Sequence, residues 1–282
     1  VAGVAPTHEG SSVWGVVGVV RNAAYFLGPI VGGYVAFYGD RAVVLGAMGV
    51  LILAYLLFLF VRLPREHEIN HHDSSINLKE EISHWYRLGI RVWPILLTSF
   101  VVGLIDATFW TSGTVLTDRL AQESSMGGMF LSAYMFPFLF AGLLVARWGV
   151  DVGKKKWAAR FLMLGSMSLM TVGFVDSVFL ILVAVGLAGL FIAMAFPLID
   201  SVYTDLVARA RTGRKHIIGM SSATFSLAYV IGPIISGFVS GRLGEEMTFT
   251  AVGGLVTMVA IYLMWATPKK LKLPQDEIQS WQ

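Results

Sequence analysis

One acidic residue, Asp106, stands near the middle of a long apolar stretch, residues 90–116. A carboxylate at the centre of a bilayer costs about 3 kcal/mol on insertion scales, and burial favours its neutral, protonated form. A carboxyl group that exchanges its proton near neutral pH can carry protons. Asp106 is therefore the first candidate for proton coupling. The alternative is a structural acid that is hydrogen-bonded to a neighbouring helix.

Small and polar residues accompany Asp106 at helical spacing. Residues three or four apart share one face of a helix. That face comprises Ser99, Gly103, Asp106, Trp110 and Gly113. A small, polar face with one aromatic ring suits the wall of a cavity, so Trp110 joins Asp106 as a candidate proton-coupling or substrate residue.

Two further charged residues lie inside apolar stretches. Arg21 is close to the middle of residues 12–36. It either pairs with an acid such as Asp106, in a substrate or proton-coupling role, or extends its side chain to the membrane surface. Asp200 lies near the end of residues 178–201. We interpret Asp200 first as an interfacial gate or helix cap and second as a substrate contact.

The composition requires a membrane. Hydrophobic residues make up 56% of the 282 residues and charged residues only 14%, with a mean hydropathy of +0.70. Because a soluble domain carries about 25% charged residues, this composition excludes a soluble enzyme, a disordered chain and a nucleic-acid-binding domain. The chain has no cysteine, so it lacks thiolate ligands and disulfides. Familiar hydrolase, zinc-protease and nucleotide-binding motifs are also absent from the sequence. We expect no enzymatic activity, no cofactor and no metal site.

Eight apolar stretches are long enough to cross a bilayer, which takes about 20 residues of helix. Helices are expected because hydrocarbon offers no hydrogen-bond partners to an open backbone. The stretches are residues 12–36, 41–63, 90–116, 126–148, 158–176, 178–201, 217–240 and 247–267. Pro137 and Pro197 are expected to kink their spans.

The basic residues predict the orientation of these spans. Seventeen of the 21 Lys and Arg residues lie in gaps on one side, and three lie on the other. This bias places both termini in the cytoplasm of a multi-pass protein of the plasma or inner membrane. The predicted divisions are two helices of a first half (1–63), a linker with an interfacial helix (64–89), a six-helix second half (90–267) and a tail (268–282).

The chain contains an internal repeat. A shift of 204 residues superimposes Gly15 on Gly219, Tyr25 on Tyr229, and Gly28-Pro29-Ile30 on Gly232-Pro233-Ile234. The first and seventh spans are therefore equivalent, and the repeat unit is six spans long. Transporters are often built from such repeats. We accordingly expect four further spans before Val1, in a complete protein of twelve spans.

The first span carries a glycine-proline pattern. Its residues are Gly15, Ala24, Gly28, Pro29, Gly32 and Gly33, and the second-half equivalents are Gly232, Pro233 and Gly237. The pattern resembles the fifth-helix antiporter motif of the major facilitator superfamily, with Ala24 in place of a glycine. Proline bends a helix and small residues allow close helix contact. We expect a moving junction between the two halves here, with a simple packing notch as the alternative.

A second resemblance, to a cytoplasmic loop motif of the same superfamily, is partial. The residues concerned are Gly142, Arg147, Gly149, Asp151, Gly153 and Lys154. Ala146 stands where the motif has an acid, and Asp151 is displaced by one position. A gating role and a basic turn that enforces topology are both open.

The resemblance covers the whole chain, as family helices five to twelve, and implies an all-α, partial major-facilitator fold. It implies a secondary active transporter, and we expect proton-coupled export of a small amphipathic compound by alternating access. Uniport or symport of a polar metabolite (a sugar or an organic acid) and a non-transporting membrane scaffold are the alternatives. The expected partners are the lipid bilayer, a small-molecule substrate and protons, without nucleic acid, and the full-length protein is expected to be monomeric.

Overall fold

The computed structural model describes residues 24, 27, 28, 31, 32, 35, 39–60, 78–148, 153–210 and 214–268. Across these residues every regular element is a helix, which confirms the predicted all-α class. The α-helices are α1 (Asp40–Phe60), α2 (Leu78–Glu123), α3 (Phe130–Met135), α4 (Ala141–Trp148), α5 (Lys154–Met170), α6 (Val178–Arg209), α7 (Arg214–Leu243) and α8 (Glu245–Ala266). Short 3-10 segments occupy Gly127–Met129, Phe136–Leu139 and Val172–Phe174.

Seven helical segments of the described chain are long and apolar enough to cross a membrane. They are Arg41–Phe60, Ile82–Glu123, Gly127–Val145, Lys154–Phe174, Val178–Arg209, His216–Leu243 and Glu245–Ala266. They correspond to the second to eighth predicted spans. The first predicted span, residues 12–36, lies mostly outside the described residues. The chain is thus an integral, multi-pass membrane protein.

The chain divides into two compact units, Val1–Leu78 and Lys79–Gln282. In the first unit, the side chains of α1 are mostly exposed and apolar, as with Leu51 at 70% exposure. A helix that is apolar all round is expected where lipid surrounds it. The second unit contains the remaining helices and the residues discussed below.

Helix α2 corrects one sequence-based boundary. The sequence pattern predicts an interfacial helix within residues 64–89 and a separate span that starts at residue 90. The structure instead has one continuous helix of 46 residues. Leu88, Val92 and Ile95 are all buried, and their helical spacing carries one packed stripe across the expected break. Helix α2 also continues through Pro94.

Prolines affect the other spans differently. The span predicted at 126–148 is split into α3 and α4 by a 3-10 segment, Phe136–Leu139, that contains Pro137. Helices α6 and α7 each remain a single helix through Pro197 and Pro233. The interruption at Pro137 places the end of α3 beside α2 and α6, where the candidate site lies.

Small and hydroxylated residues hold α5 between α6 and α8. A Cβ on Gly165 would lie 2.8 Å from Ile192 Cγ1 of α6, and a Cβ on Gly253 of α8 would lie 2.7 Å from the carbonyl oxygen of Ser166. Ser166 Oγ and Thr257 Oγ1 are 2.8 Å apart. Close contact and interhelical hydrogen bonds replace the hydrophobic effect where lipid is the solvent.

Candidate functional site

The carboxyl group of Asp106 is the centre of a hydrogen-bonded cluster in the second unit, and only 8% of the residue is exposed. Tyr134 Oη of α3 donates to Asp106 Oδ1 at 3.0 Å, and Tyr229 Oη of α7 donates to Asp106 Oδ2. Trp110, one turn along α2, also hydrogen-bonds Asp106 through its side chain. Asp106, Trp110, Tyr134 and Tyr229 form the Asp106 cluster, which joins three helices and satisfies a buried polar group.

Close packing fixes the position of Tyr134. A Cβ on Gly189 of α6 would overlap the backbone carbonyl of Tyr134, so a residue without a side chain is required at that crossing. The Tyr134 ring stacks on the ring of Phe109, with 3.6 Å between the ring centroids. Since Tyr134 has no exposed surface, its hydroxyl is held in one place against Asp106.

A close contact between α2 and α7 fixes the position of Tyr229. A Cβ on Gly232 would lie 2.6 Å from Ala107 Cβ, and a Cβ on Gly103 would lie 2.8 Å from Ala228 Cβ. The contacts advance along both helices in the same direction, so α2 and α7 run parallel. Tyr229 follows directly after Ala228, and its hydroxyl therefore reaches Asp106 from within this seam.

The second-half motif residues have different environments. Gly232 is buried in the seam, Pro233 lies inside α7, and Gly237 is exposed. Ser236 Oγ donates to Thr108 Oγ1 at 3.0 Å, which extends the α2–α7 contact by one turn. Of the repeated motif positions described here, Gly232 is the one with a steric requirement for glycine.

Three phenylalanine rings connect the two tyrosines in a series of five aromatic rings. Successive ring centroids are separated by 5.3 Å, 5.6 Å, 5.7 Å and 5.8 Å. The rings belong, in this order, to Tyr134, Phe138, Phe196, Phe225 and Tyr229, and we call them the aromatic arc. Its first member is fully buried, its three phenylalanines are half-buried, and Tyr229 is 39% exposed. The arc thus joins a buried polar end to an accessible apolar surface.

The face predicted to line a cavity is mostly packed against other helices. Ser99 Oγ lies 3.0 Å from Tyr203 Oη of α6, and Gly103 meets α7 as described above. A Cβ on Gly113 would lie 3.4 Å from atoms of Phe130, Leu131 and Phe249. Trp110 is half-buried and is the most accessible member of this face.

Asp200, the second predicted acid, is exposed on α6, one helical turn after Phe196 of the aromatic arc. Its charge acts on Tyr203, the partner of Ser99. Asp200 therefore borders the same side of α6 as the aromatic arc, one turn closer to the end of the helix.

Part of the first-half motif falls within the described residues. Ala24, Gly28 and Gly32 are helical, with Ala24 and Gly28 exposed. Gly15, Arg21, Pro29 and Gly33 lie outside the described residues.

The predicted loop motif is described at its two ends. Gly142 and Arg147 are exposed on α4, whereas Gly149 and Asp151 lie outside the described residues. Gly153 has φ of +77° and precedes α5; this left-handed conformation favours glycine. Lys154 Nζ forms an ion pair with Asp205 Oδ2 of α6 at 3.0 Å. The basic end of the motif thus ties the start of α5 to the end of α6.

The sequence pattern did not connect Asp106 with its partners. Tyr229 entered only as a repeat position equivalent to Tyr25, and Tyr134, which carries no motif, was not linked to Asp106. A weak signal existed for Tyr229, because it lies three residues before Gly232 and so on the same face of its helix. The ion pairs of Arg119 with Glu245 and Glu246 were also missed. They join α2 to α8.

The chemistry available at this site is proton exchange together with apolar binding. No group of three or more His, Asp and Glu residues that could hold a metal ion occurs among the residues that the structure describes. A buried carboxyl group can bind and release one proton, while the aromatic arc offers ring faces to an apolar molecule.

Comparison with known proteins gives the family. The model of the Major Facilitator Superfamily matches residues 95–282. The chain is 21% identical over 252 residues to Multidrug resistance protein 2 of Bacillus subtilis (strain 168), a match that covers 85% of this chain and 60% of the relative. It is 24% identical over 259 residues to Tetracycline resistance protein, class E, of Escherichia coli, covering 87% of this chain and 61% of the relative. The chain therefore spans about 60% of the length of these curated relatives.

The matched region of the family includes most of α2 and all of α3 to α8, and so contains every member of the Asp106 cluster. Two independent observations, the helical membrane architecture and the family match over most of the chain, agree. The chain belongs to the Major Facilitator Superfamily, a family of membrane transporters.

Proposed function

We propose that the protein is a secondary active transporter that exchanges protons for a small amphipathic compound by alternating access. The observation that carries this proposal is the buried carboxyl group of Asp106, held by hydroxyl groups from two other helices. The proposal includes both termini in the cytoplasm, the plasma or inner membrane as location, and four further spans in a monomeric, full-length protein.

Protonation of Asp106 changes what its two oxygens can do. The carboxylate only accepts hydrogen bonds, whereas the neutral acid must also donate one. Tyr134 and Tyr229 both donate to the carboxylate. When a proton binds, one hydroxyl has to rotate or withdraw, because a donor would otherwise face a donor. Tyr134 is fully buried and Tyr229 is 39% exposed, so Tyr229 is the partner with room to move.

Movement of Tyr229 connects proton binding to a helix. Tyr229 belongs to α7, which carries the repeated glycine-proline pattern and packs directly on α2. Loss of the Tyr229 hydrogen bond removes one of the few polar contacts in this seam. We infer that proton binding loosens α7 from α2, which is the kind of two-state element that alternating access needs.

The aromatic arc supports an amphipathic substrate. Its half-buried rings present apolar surface beside the polar hydroxyl group of Tyr229. The names of the two relatives refer to multidrug and tetracycline resistance, and this favours export as the direction of transport. A site for a polar metabolite would be expected to have fewer aromatic rings and more hydrogen-bonding groups in this position.

Transport by the full-length gene product in proteoliposomes tests the proposal. An imposed pH gradient should drive movement of an amphipathic test compound opposite to the proton flux, and Asp106→Asn should abolish this coupling. Asp118→Asn is the matched control, because Asp118 is an exposed carboxyl on the same helix. Proton-driven movement that persists in Asp106→Asn would remove Asp106 from the mechanism. Co-transport of a sugar or an organic acid with protons would favour the symporter instead, and no movement of any solute would favour the scaffold.

A further inference from the structure

We propose that the start of α5 is a binding site for the headgroup of an anionic phospholipid, formed by Lys156, Trp157 and Arg160. This site lies outside the Asp106 cluster and does not depend on the proposed transport function. The proposal rests on one helical turn in which some basic side chains contact the protein and the others are exposed.

Two of the three consecutive lysines are held by the protein. Lys154 Nζ is paired with Asp205 Oδ2 at 3.0 Å. Lys155 Nζ donates to the carbonyl oxygen of Pro268 at 2.6 Å. These contacts turn one side of the first helical turn towards α6 and the end of α8. The third lysine, Lys156, is exposed on the other side.

Arg160 adds a second positive charge one turn further along this exposed side. Its guanidinium carbon lies 4.8 Å from the centroid of the Trp157 ring. The ring centroid of Trp157 is 5.7 Å from that of Phe161, which is buried. Trp157 is therefore supported by the core, while 40% of it remains exposed. Arg160 follows Lys156 by four residues, so both side chains lie on the same side of the helix.

The same face becomes apolar immediately beyond the charged turn. Leu164 is 40% exposed and Met167 is 48% exposed. With Trp157 and Arg160 they follow the three-and-four spacing of one helix face. Residues 154–174 contain no acidic residue, and they form one of the candidate membrane spans. Two positive charges, a tryptophan and then an apolar stripe match the order of phosphate, glycerol and acyl chain in a phospholipid.

Phosphate is the shared chemistry of a lipid headgroup and of free phosphate, and the apolar stripe favours the lipid. A soluble phosphate would use the two charges and leave Leu164 and Met167 without a role. The bound molecule is therefore an anionic phospholipid from the surrounding leaflet.

Lipid binding by the purified chain in detergent tests this site. The measurement is the lipid concentration that half-maximally raises the thermal unfolding midpoint, for phosphatidylglycerol and for phosphatidylcholine. The wild-type chain should prefer phosphatidylglycerol. Lys156→Gln combined with Arg160→Gln should weaken its binding by about fivefold per residue, the usual effect of one basic residue near an anionic surface. The matched control is Arg41→Gln with Arg242→Gln, which removes two exposed charges outside this site and should leave the preference unchanged.

Position can be tested separately with phosphatidylglycerol brominated in its acyl chains. It should quench the tryptophan fluorescence of the wild-type chain more than that of Trp157→Phe. Equal affinity for both lipids, an equal loss in the control pair, or equal quenching in Trp157→Phe would overturn the proposal. Full competition by inorganic phosphate would assign the site to a soluble anion and overturn the lipid assignment. Since all the substituted side chains are exposed, circular dichroism should show the same helix content in every variant.

Discussion

Replacement of Gly232 by alanine tests whether close contact between α2 and α7 holds the candidate site together. A Cβ at residue 232 would lie 2.6 Å from Ala107 Cβ, whereas two carbon atoms pack best at about 3.5–4.0 Å. The helices would have to separate by roughly 1 Å, a change of the overpacking kind that costs about 1–3 kcal/mol. Alanine also favours a helix over glycine by about 1 kcal/mol. The net effect on the free energy of unfolding should therefore lie between about zero and a loss of roughly 2 kcal/mol.

Gly237→Ala is the matched control, because it makes the same chemical change five residues further along the same helix. Gly237 is exposed, and a Cβ there would meet no atom of the described chain within 4 Å. Gly237→Ala gains the helix propensity of alanine without the overpacking. Its free energy of unfolding should therefore exceed that of Gly232→Ala by about 1–3 kcal/mol. The free energies are compared by reversible unfolding of the purified chain in mixed micelles. Ala107→Gly costs about 1 kcal/mol of helix propensity in either background. In the Gly232→Ala background it also removes the opposing Cβ, so there it should be about 1–3 kcal/mol less destabilising than in the wild-type chain. Equal stability of Gly232→Ala and Gly237→Ala, or an equal effect of Ala107→Gly in both backgrounds, would refute this account of the seam.

Three other predictions concern hydrogen bonds and ion pairs. Tyr229→Phe should lower the free energy of unfolding by about 1.5–3 kcal/mol, the range for a hydrogen bond to a charged group. This loss should be smaller in an Asp106→Asn background. Additive losses in that double-mutant cycle would show that the two side chains do not interact. A double-mutant cycle of Ser236→Ala and Thr108→Val should give a coupling energy of about 0.6 kcal/mol, typical of interhelical hydrogen bonds in a membrane protein. A coupling energy of zero would contradict the 3.0 Å hydrogen bond between the two hydroxyl groups. Arg119→Gln should lower the free energy of unfolding by no more than about 1 kcal/mol in low salt, because the side chain is 41% exposed and solvent screens such ion pairs. The loss should become smaller in high salt. A loss that salt does not change would mean that the packing of Arg119 contributes more than its charge.

The helical membrane architecture followed from the sequence because it depends on bulk properties. Twenty apolar residues in a row have few alternatives to a spanning helix, and seven predicted spans each correspond to one helical segment of the described chain, with ends that differ by up to eight residues. The boundary at residue 90 failed for a local reason. An amphipathic stretch next to an apolar one does not say whether the backbone breaks between them, and the buried stripe through Leu88, Val92 and Ile95 decided the matter.

The candidate site was only half predictable. Asp106 and Trp110 stand out because one helix periodicity collects them. Tyr134 and Tyr229 belong to α3 and α7, and tertiary contacts determine how these helices are rotated and shifted along their axes relative to α2. Those contacts are set by single small residues, Gly189 and Gly232, whose steric role is invisible until the opposing backbone is known.

The internal repeat now gives the departure of Ala24 from the glycine pattern a physical interpretation. A shift of 204 residues relates Ala24 to Ala228 and Gly28 to Gly232. In the second half, the alanine faces a glycine, Gly103, and the glycine faces an alanine. One small side chain is accommodated at each crossing as long as its partner has none. The repeat thus predicts that alanine at position 24 fits a seam of this kind where the facing residue is glycine. Among the described residues, a Cβ on Gly28 would meet no atom within 4 Å. The two halves differ in charge at one repeat position. Arg21 is the repeat equivalent of Phe225, so the first half carries a positive charge where the second half has a ring of the aromatic arc. Under the proposed mechanism the two halves share the glycine-proline pattern that the rocking movement uses, while the charge at this repeat position differs between them.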